Sequence, residues 1–422
     1  MLLSLEKTPR ANRVHIGIFG RRNAGKSSLI NAITGQDIAL VSDVPGTTAD
    51  PVYKSMELHG AGPVVFIDTP GIDDVGVLGS ARVSRASKVS SKTDIAVVVV
   101  DPELGLGERE ERLLEDFLKN SVPTVLALTK RDIWPEKECL DNVRRHVDEI
   151  YERIDSDGKT LHKPQVCAVS AVTGQGIKDL VDKLSQIIIE ELSDAEPPIV
   201  GDLLEPGDIV FLVVPVDLQA PKGRLILPQV QTIRDVIDHN CIAVMAKTEE
   251  IPDMLKNLKE GPKLVITDSQ VFEQVNQMLP AHIPLTSFSI LFARHKGDLD
   301  ELVKGARALS QLKPYDKVLI AEACTHHPIE DDIGTYKIPK WLEEKVGGPI
   351  NFSWHRGGDY PPDLGDFRVI IHCGGCMLNR KEMLWRIKEA KNAEVPIANY
   401  GMTIAYAKGI LDRALAPLGY SV

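Results

Sequence analysis

The segment GRRNAGKS, at residues 20–27, constrains the fold of this 422-residue chain more than any other feature. It directly follows the apolar run VHIGIF and opens a helix-like segment that stops at Thr34-Gly35. GxxxxGKS between a strand and a helix is typical of a phosphate-binding loop, in which successive backbone N–H groups surround the phosphate oxygens. A chance glycine-rich turn is the alternative, and it does not explain the strand and helix on either side. The predicted contacts are Gly20, Asn23, Ala24, Gly25, Lys26, Ser27 and Ser28.

Two further segments supply the metal and γ-phosphate contacts that such a loop needs. Lys26 is expected to contact the β- and γ-phosphates and Ser27 to bind Mg²⁺. Asp68-Thr69-Pro70-Gly71 ends the apolar run VVFI, so Asp68 is predicted to hold the water shell of the metal and Gly71 to donate an N–H to the γ-phosphate. Between them, Thr47 and Thr48 are candidates for a second magnesium ligand, and we favour Thr48.

A base-recognition site is predicted at the ends of two later strands. The run TVLALT ends in Thr129-Lys130-Arg131-Asp132, where the Asp132 carboxylate can accept both N–H donors of guanine. Ser170-Ala171 follows the next strand and offers a backbone N–H to the guanine O6. Adenine lacks the pair of donors that Asp132 would accept, so guanine is preferred.

Together these motifs resemble the GTPases of the translation-factor-like class, in the branch with Era, Der and MnmE. The sequence departs from that pattern in having Thr129 in place of asparagine and Val172 in place of lysine. Ile72 stands where a water-orienting glutamine is expected. In relatives of this kind that use potassium, an asparagine at the position of Asn23 holds the ion. The resemblance therefore implies K⁺ activation, with Lys26, Thr48, Gly71 and Asn23 as the catalytic set; an internal arginine finger at Arg21 or Arg22 and a plain turn role for Asn23 are the alternatives.

Alternating strands and helices predict an α/β protein of two or three domains. A P-loop GTPase domain is expected over residues 1–195, and the acidic, proline-bearing segment at residues 193–208 is a linker candidate. A smaller parallel α/β domain is expected over residues 205–297, and an α/β domain that binds a metal cluster over residues 298–422. We found no motif in the middle domain, so an interaction role is expected for it.

Three of the six cysteines lie in the last hundred residues, in the patterns Cys324-x-His326 and His372-Cys373-x-x-Cys376. Each pattern follows an apolar strand-like run, and two glycines between Cys373 and Cys376 allow the backbone to bend closely around a metal. Three thiolates with nearby imidazoles suit either a [4Fe–4S] cluster or a structural zinc ion. Buried thiols without a metal are the third possibility. The other cysteines are predicted to be buried apolar residues, and residues 354–358 a loop over the cluster.

The GTPase motifs joined to this cysteine pattern resemble the [FeFe]-hydrogenase maturation GTPases of the HydF family, over essentially the whole chain. The resemblance implies that Cys324, Cys373 and Cys376 bind a [4Fe–4S] cluster, with His326 and His372 as a fourth ligand or as supporting groups. It also implies a homodimer formed by the middle domain, and a scaffold that carries a diiron precursor. The implied partners are two radical-SAM maturases and the apo-[FeFe]-hydrogenase.

Composition excludes several other classes of protein. The net charge of −11 disfavours general attraction to nucleic acid or anionic lipid, which argues against an RNA-linked GTPase of ribosome assembly or tRNA modification. The longest apolar runs are too short to cross a membrane, and the first ten residues lack a signal-peptide apolar region. We therefore expect a cytoplasmic protein. A regulatory GTPase with a structural zinc remains the second alternative.

Overall fold

The computed structural model describes residues 13–35, 52–58, 60–69, 89–134, 137–155, 162–192, 197–215, 225–258, 260–323, 332–357 and 359–420. The chain divides into two compact units, Met1–Ala195 and Glu196–Val422. Each unit is an α/β structure, which confirms the predicted fold class.

The first unit contains a six-stranded sheet in the order β2-β3-β1-β4-β5-β6. Its strands are β1 Val14–Gly20, β2 Val52–Leu58, β3 Gly62–Asp68, β4 Ile95–Val100, β5 Thr124–Leu128 and β6 Gln165–Ala168. All neighbours are parallel except β2, which runs antiparallel to β3. Every residue of β4 is buried, because helices cover both faces of the sheet.

Among its described residues this unit has four α-helices with given bounds: α1 Lys26–Thr34, α2 Glu108–Lys119, α3 Lys137–Ile154 and α4 Ile177–Ile187. A π-helical turn, Ile188–Leu192, continues α4. Helix α2 begins with Glu108, Glu110 and Glu111, an acidic first turn of the kind that is usually solvated. Glu110 is an exception, since it is only 2% exposed and pairs with Arg21 of the phosphate-binding loop.

The second unit begins with a parallel four-stranded sheet in the order β10-β9-β7-β8. Its strands are β7 Ile209–Val213, β8 Ile242–Ala246, β9 Leu264–Thr267 and β10 Leu285–Ser287. The helices around it are α5 Leu227–Asp238, α6 Ile251–Asn257, α7 Phe272–Met278 and α8 Phe288–Lys296. Strand β8 lies at the edge of the sheet and leaves Ile242 and Met245 exposed.

A second parallel sheet of this unit has the order β12-β11-β13-β14. Its strands are β11 Lys317–Glu322, β12 Asn351–Arg356, β13 Val369–His372 and β14 Ile397–Asn399. The helices around it are α9 Leu299–Ala308, α10 Ile338–Val346, α11 Arg380–Asn392, α12 Tyr400–Ala407 and α13 Leu411–Leu415.

One expectation for this part of the chain is wrong. Residues 354–356 belong to β12 and not to a loop, because they pair with β11 from Ile320 to Glu322. Between α12 and α13, Gly409 adopts a φ of 71°, which ends α12.

One continuous hydrophobic cluster contains buried residues of both sheets in the second unit, among them Phe211, Leu285, Ile320 and Ile370. The predicted boundary between residues 297 and 298 lies in the turn between α8 and α9. The division into three domains stays a prediction. In the part of the chain that the structure describes, no helix is both long and apolar enough to span a bilayer.

Candidate functional site

The loop between β1 and α1 has the backbone shape of a phosphate cradle. Gly20 has a φ of 148°, and a Cβ there would lie 2.4 Å from the Val99 carbonyl oxygen, so only glycine fits. Gly25 has a φ of 95° and precedes α1 without a side-chain cap, which leaves the first N–H groups of the helix available to an anion. Asn23 has a φ of 59° and an exposed side chain. Ala24 is buried, and Ser28 lies half-buried in the first turn of α1.

Lys26 reaches back across this loop. Its Nζ donates to the carbonyl oxygens of Gly20, at 2.9 Å, and Arg21, at 2.7 Å, and the side chain is 8% exposed. The ammonium group is therefore held beside the backbone N–H groups of the loop. In this position the ammonium group and the backbone N–H groups can together bind a phosphate.

The neighbouring acidic group is suited to a hard cation. Ser27 Oγ donates a 2.6 Å hydrogen bond to Asp68 Oδ2, whereas the buried Asp68 Oδ1 has no hydrogen-bond partner among the described residues. Burial raises the pKa of Asp68, and the Ser27 hydroxyl, Lys26 and Lys54 oppose that rise. A hydroxyl beside a buried, unpartnered carboxylate oxygen fits Mg²⁺, which prefers oxygen ligands. Thr47, Thr48 and Gly71, predicted to complete this site, lie outside the described residues.

The residues predicted to recognise the base are brought together by β5 and β6. Thr129 Oγ1 donates to the Ala24 carbonyl oxygen at 2.8 Å, which ties the base motif to the phosphate loop. Asp132 Oδ1 accepts a 2.6 Å hydrogen bond from Ser170 Oγ, which in turn accepts the Thr173 N–H at 3.1 Å. The Thr129 found in place of asparagine thus makes a defined contact through its hydroxyl.

Lys130 and Ala171 complete the predicted base site. Lys130 has a φ of 56°, and its Nζ forms a 2.6 Å ion pair with Asp101. Ala171 follows Ser170, whose N–H donates to the Gln175 carbonyl oxygen at 2.8 Å. This bond holds the turn in which Ala171 lies.

Sequence reasoning missed the partner of Arg21. Arg21 Nε lies 2.7 Å from Glu110 Oε1, and Nη2 donates to Oε2 at 3.0 Å. Gly107 makes room for this pair, since a Cβ there would lie 1.9 Å from Arg21 Nη2. The guanidinium considered as an internal arginine finger is therefore held by α2. The acidic run containing Glu110 carries no signal that one of its members is buried.

The second candidate site lies at the carboxyl end of β13. The Cys373 N–H donates to the Ala321 carbonyl oxygen at 2.9 Å, and Cys373 Sγ accepts the N–H of Ala323 at 3.3 Å. Ala323 immediately precedes Cys324 in the chain. His372 is 0% exposed, with Nδ1 2.6 Å from the Cys373 carbonyl oxygen, and its Nε2 has no hydrogen-bond partner among the described residues.

The loop after Cys373 is shaped by Gly375 and held by a buried cation. Gly375 has a φ of 60°, and Cys376 is exposed. Lys296 Nζ donates to the carbonyl oxygens of Cys376, at 3.2 Å, and Leu378, at 2.9 Å. Partial desolvation by the surrounding loop and then the neighbouring Cys373 raise the pKa of the Cys376 thiol, although the residue as a whole is exposed, while Lys296 opposes the rise. Sequence reasoning missed Lys296, which lies in the apolar helix α8.

These groups have the chemistry of a metal–thiolate site. A sulfur atom that accepts a backbone N–H and a buried imidazole nitrogen without a partner fit a cluster bound through thiolates. Cys324, His326 and the neighbouring His327 lie outside the described residues. Within the described ranges no three potential metal ligands come together.

Three family models match successive parts of the chain. The first, described as 50S ribosome-binding GTPase, matches residues 15–130. The Hydrogen maturase F dimerization domain matches residues 199–297, and the Hydrogen maturase F tetramerization domain matches residues 300–417. The two matches in the second unit support oligomerisation.

Curated relatives match part of the chain. GTPase Der of Kosmotoga olearia is 31% identical over 202 residues, which are 47% of this chain and 43% of the relative. GTPase Der of Campylobacter jejuni is 30% identical over 271 residues, 60% of this chain and 57% of the relative. The chain thus spans about half the length of the curated relatives it matches.

Among solved structures, Aquifex aeolicus Era bound to GDP and AlF₄⁻ is 18% identical at a TM-score of 0.34, covering 83% of this chain and 94% of that chain. The family assignment depends on the order of the three matched domains: a GTPase domain, then the two domains described for Hydrogen maturase F. The chain belongs to the family of HydF-type hydrogenase maturation GTPases.

Proposed function

We propose that this chain is a GTP-hydrolysing scaffold that holds a [4Fe–4S] cluster and delivers a diiron precursor to apo-[FeFe]-hydrogenase. The single observation that carries the proposal is the hydrogen bond from the Ala323 N–H to Cys373 Sγ. It holds Ala323, the residue before Cys324, against the start of the Cys373-x-x-Cys376 loop. The order of the matched domains supports the same proposal.

The nucleotide chemistry is assigned to the first unit. The backbone of residues 20–27 and Lys26 bind the phosphates of GTP or GDP, and Ser27 with Asp68 holds Mg²⁺, directly or through water. Thr48 completes the metal shell and Gly71 contacts the γ-phosphate. Asp132 accepts the guanine N–H donors, while Ser170 fixes its carboxylate by the 2.6 Å hydrogen bond.

Potassium supplies positive charge near the transferred phosphate in this proposal. Ile72 has no group that could orient water or compensate charge, and Arg21 is paired with Glu110. Asn23 projects an exposed amide from the phosphate loop, where its oxygen can bind K⁺. The charge that catalysis requires is thus assigned to a bound cation.

The cluster chemistry is assigned to the second unit. Cys324, Cys373 and Cys376 are the proposed thiolate ligands, and His372 or His326 supports the fourth iron directly or through a hydrogen bond. When bound, the cluster supplies an iron with an exchangeable ligand, to which an external group can attach and later detach. Cys373 is oriented by two backbone hydrogen bonds, and Lys296 holds the loop that contains Cys376.

The chain is proposed to act as a homodimer through the sheet edge at β8. Exposed apolar side chains lie on this strand and on the adjoining helix α5, including Ile237, Ile242 and Met245. An uncovered edge strand with apolar side chains favours pairing with a second copy. The remaining proposed partners are the two radical-SAM maturases and the apo-hydrogenase, met in the reducing cytoplasm, where free thiols persist.

The proposal is tested by measuring whether the chain transfers the diiron precursor to apo-[FeFe]-hydrogenase. The chain is reconstituted without oxygen, incubated with both maturases, reisolated and mixed with apo-[FeFe]-hydrogenase, and hydrogen evolution is measured. Unmutated protein should activate the hydrogenase, whereas Cys373→Ala protein should not. Equal activation by the Cys373→Ala variant would reject the scaffold role.

A further inference from the structure

The two sheets of the second unit have the same strand topology. In each sheet the second strand lies at one edge beside the first, and the third and fourth strands follow on the other side, which gives the orders β8-β7-β9-β10 and β12-β11-β13-β14. All neighbouring strands are parallel in both sheets. In each sheet a helix precedes the second and the fourth strand, and another helix, α8 or α12, follows the fourth strand directly. The unit therefore contains two copies of one topology.

The two copies meet through equivalent residues. Each fourth strand ends in the residue whose side chain caps the following helix, Ser287 for α8 and Asn399 for α12. The second residues of these helices, Ser289 and Gly401, face each other, since a Cβ on Gly401 would lie 2.4 Å from Ser289 Cβ. Contact between equivalent residues indicates that an approximate two-fold axis relates the copies.

The two copies exchange helices, which cover one edge of each sheet. Helix α9 follows α8 and lies on β14 of the second copy, where a Cβ at Gly305 would be only 1.9 Å from the Ile397 carbonyl oxygen. Helix α13 follows α12 and contacts β10 of the first copy. Its Arg413 donates to the carbonyl oxygens of Pro280, at 2.7 Å, and Ile283, at 3.1 Å, just before that strand.

Strands β8 and β12 are the equivalent edges that these helices leave open. No residue of β8 or β12 is buried, whereas every residue of β10 and β14 is buried. Edge strands are commonly protected by charged side chains or proline. Strand β8, IAVMA, has neither, and the only Lys, Arg, Asp, Glu or Pro of β12, NFSWHR, is Arg356, whose Nε lies 2.7 Å from Glu322 Oε2. Neither edge has the usual protection against strand pairing.

Strand β12 also presents aromatic side chains beside its open edge. Phe352 and Trp354 lie on the same face of the strand, with their ring centroids 6.0 Å apart. Trp354 is 45% exposed, although its Nε1 donates to the Gly334 carbonyl oxygen at 3.0 Å. Tyr336, in the same π-helical turn as Gly334, is 52% exposed. Exposed aromatic side chains at an unpaired strand favour contact with another protein surface.

We propose that β12 is a second self-association surface, which pairs with β12 of another copy of this chain. This inference rests on the homodimer of the proposed function, since β12 is the equivalent of its β8 edge in the second copy of the topology. Pairing about a two-fold axis makes the two β12 strands antiparallel. The residues matched by the tetramerization domain, 300–417, contain β12, which supports two dimers joining into a tetramer through this edge.

The β12 contact is expected to be weaker than the β8 contact. The β8 edge and α5 offer Ile237, Ile242 and Met245 as exposed side chains, whereas Phe352 is already half-buried and Trp354 is held by its own chain. Less apolar surface is therefore left to bury at β12. Tetramers should form only at higher protein concentrations than dimers.

The first experiment is sedimentation velocity of the full-length protein, from concentrations at which it is a dimer upwards. The unmutated protein should form tetramers. Trp354→Glu and Ser353→Glu should raise the dissociation constant of the tetramer at least about tenfold, because each charge meets its own copy across the axis. Ser353→Glu keeps the indole contact with Gly334, so the result does not depend on the folding of Trp354→Glu alone.

The matched control is Met278→Glu, which changes a 44% exposed side chain of α7 in the same unit and should leave the tetramer unchanged. Tetramers that persist in both β12 variants would overturn the proposal. Equal loss of tetramers in Met278→Glu would also overturn it, because the effect would then come from added charge and not from β12.

The second experiment measures hydrogen exchange of the β12 backbone by mass spectrometry. Exchange of residues 351–356 in unmutated protein should be slower where tetramers dominate than where dimers dominate, since pairing occupies the open N–H groups. Unchanged exchange at β12 in the tetramer would place the contact elsewhere and overturn the proposal. Protection that appears only on addition of apo-[FeFe]-hydrogenase would assign the edge to that partner and also overturn it.

The two proposals fail in different ways. If the unmutated protein forms dimers that Ile242→Glu abolishes, but never forms tetramers, only the role of β12 is rejected. If dimers persist in Ile242→Glu and are lost in Ser353→Glu, the β8 homodimer is rejected and self-association through β12 is retained. If the unmutated protein is a monomer at every concentration, both are rejected.

Discussion

Asp68 shows how one buried side chain indicates a missing cation. Its Oδ1 has no hydrogen-bond partner among the described residues, and burial raises its pKa. When the pKa of an acid is higher in the folded than in the unfolded protein, the protein loses stability as the pH rises through the folded-state pKa, because the folded state disfavours the charged form. Bound Mg²⁺ would favour the charged carboxylate and so remove this loss of stability.

The substitution Asp68→Asn tests that role. Without magnesium at neutral pH, the variant should unfold at or above the temperature of the unmutated protein, because the buried charge is gone. With magnesium its GTP hydrolysis should fall at least about 100-fold. Thermal unfolding and turnover are measured with and without Mg²⁺, with the exposed Asp182→Asn as control. Equal stabilisation of Asp68→Asn and unmutated protein by Mg²⁺ in the absence of nucleotide would contradict the assignment.

Two explanations account for asparagine at position 23: its amide binds potassium, or its backbone conformation favours asparagine. A φ of 59° is tolerated by asparagine and by glycine, whereas alanine is strained there by roughly 1–2 kcal/mol. If the amide binds potassium, replacing Na⁺ by K⁺ at equal ionic strength should increase turnover of unmutated protein but not of Asn23→Gly. Asn23→Ala both removes the amide and strains the backbone, whereas Asn23→Gly removes only the amide. The glycine variant therefore separates the loss of the ion ligand from the backbone strain. K⁺ activation that persists in Asn23→Gly would remove the side chain from the ion site.

The strands that were predicted from sequence are those with continuous apolar runs. Strands β1, β3, β4 and β5 each have a neighbour on both sides and are almost completely buried, so most of their residues are apolar on both faces. Strand β2 reads VYKSMEL and lies at the edge of its sheet, where polar side chains alternate with apolar ones. Strand β12 is also an edge strand and exposes Trp354, which explains its misassignment to a loop.

The edge strand β8 provides a prediction at the scale of one element. Ile242 is 51% exposed on a strand that has a neighbour on one side only. Ile242→Glu should place a charge in the proposed dimer interface and shift the protein to monomers, measured by sedimentation velocity over a range of concentrations. The control is Leu104→Glu, which changes a 60% exposed leucine in the first unit. An unchanged dimer in Ile242→Glu together with a monomeric Leu104→Glu would move the interface away from β8.

The whole molecule separates the proposed chemistries between two compact units. The proposed nucleotide-binding residues lie in Met1–Ala195, and Cys373 and Cys376 lie in Glu196–Val422. Cys373→Ala should therefore lose most bound iron while its GTP hydrolysis stays within about twofold, and Lys26→Ala should show the opposite pattern. Iron content and turnover are measured on the same preparations. Loss of GTP hydrolysis in Cys373→Ala would indicate that the two sites are coupled.

Only those residues of the candidate sites that belong to local sequence motifs could be predicted from the sequence. GxxxxGKS and the cysteine spacing are local patterns, so Lys26, Ser27, Cys373 and Cys376 were predicted from the sequence alone. Lys296 and Glu110 were not, because a charged residue in a helix is usually solvated and nothing local marks its burial.

The central claim is that the second unit binds an iron–sulfur cluster. The most direct measurement is metal content and EPR of full-length protein reconstituted without oxygen, with iron and zinc both supplied. The account predicts about four irons per chain, little zinc, and an EPR signal of a reduced [4Fe–4S] cluster that Cys373→Ala and Cys376→Ala abolish. One zinc per chain with no such signal would contradict the account and favour a GTPase whose second unit is held by a structural zinc ion.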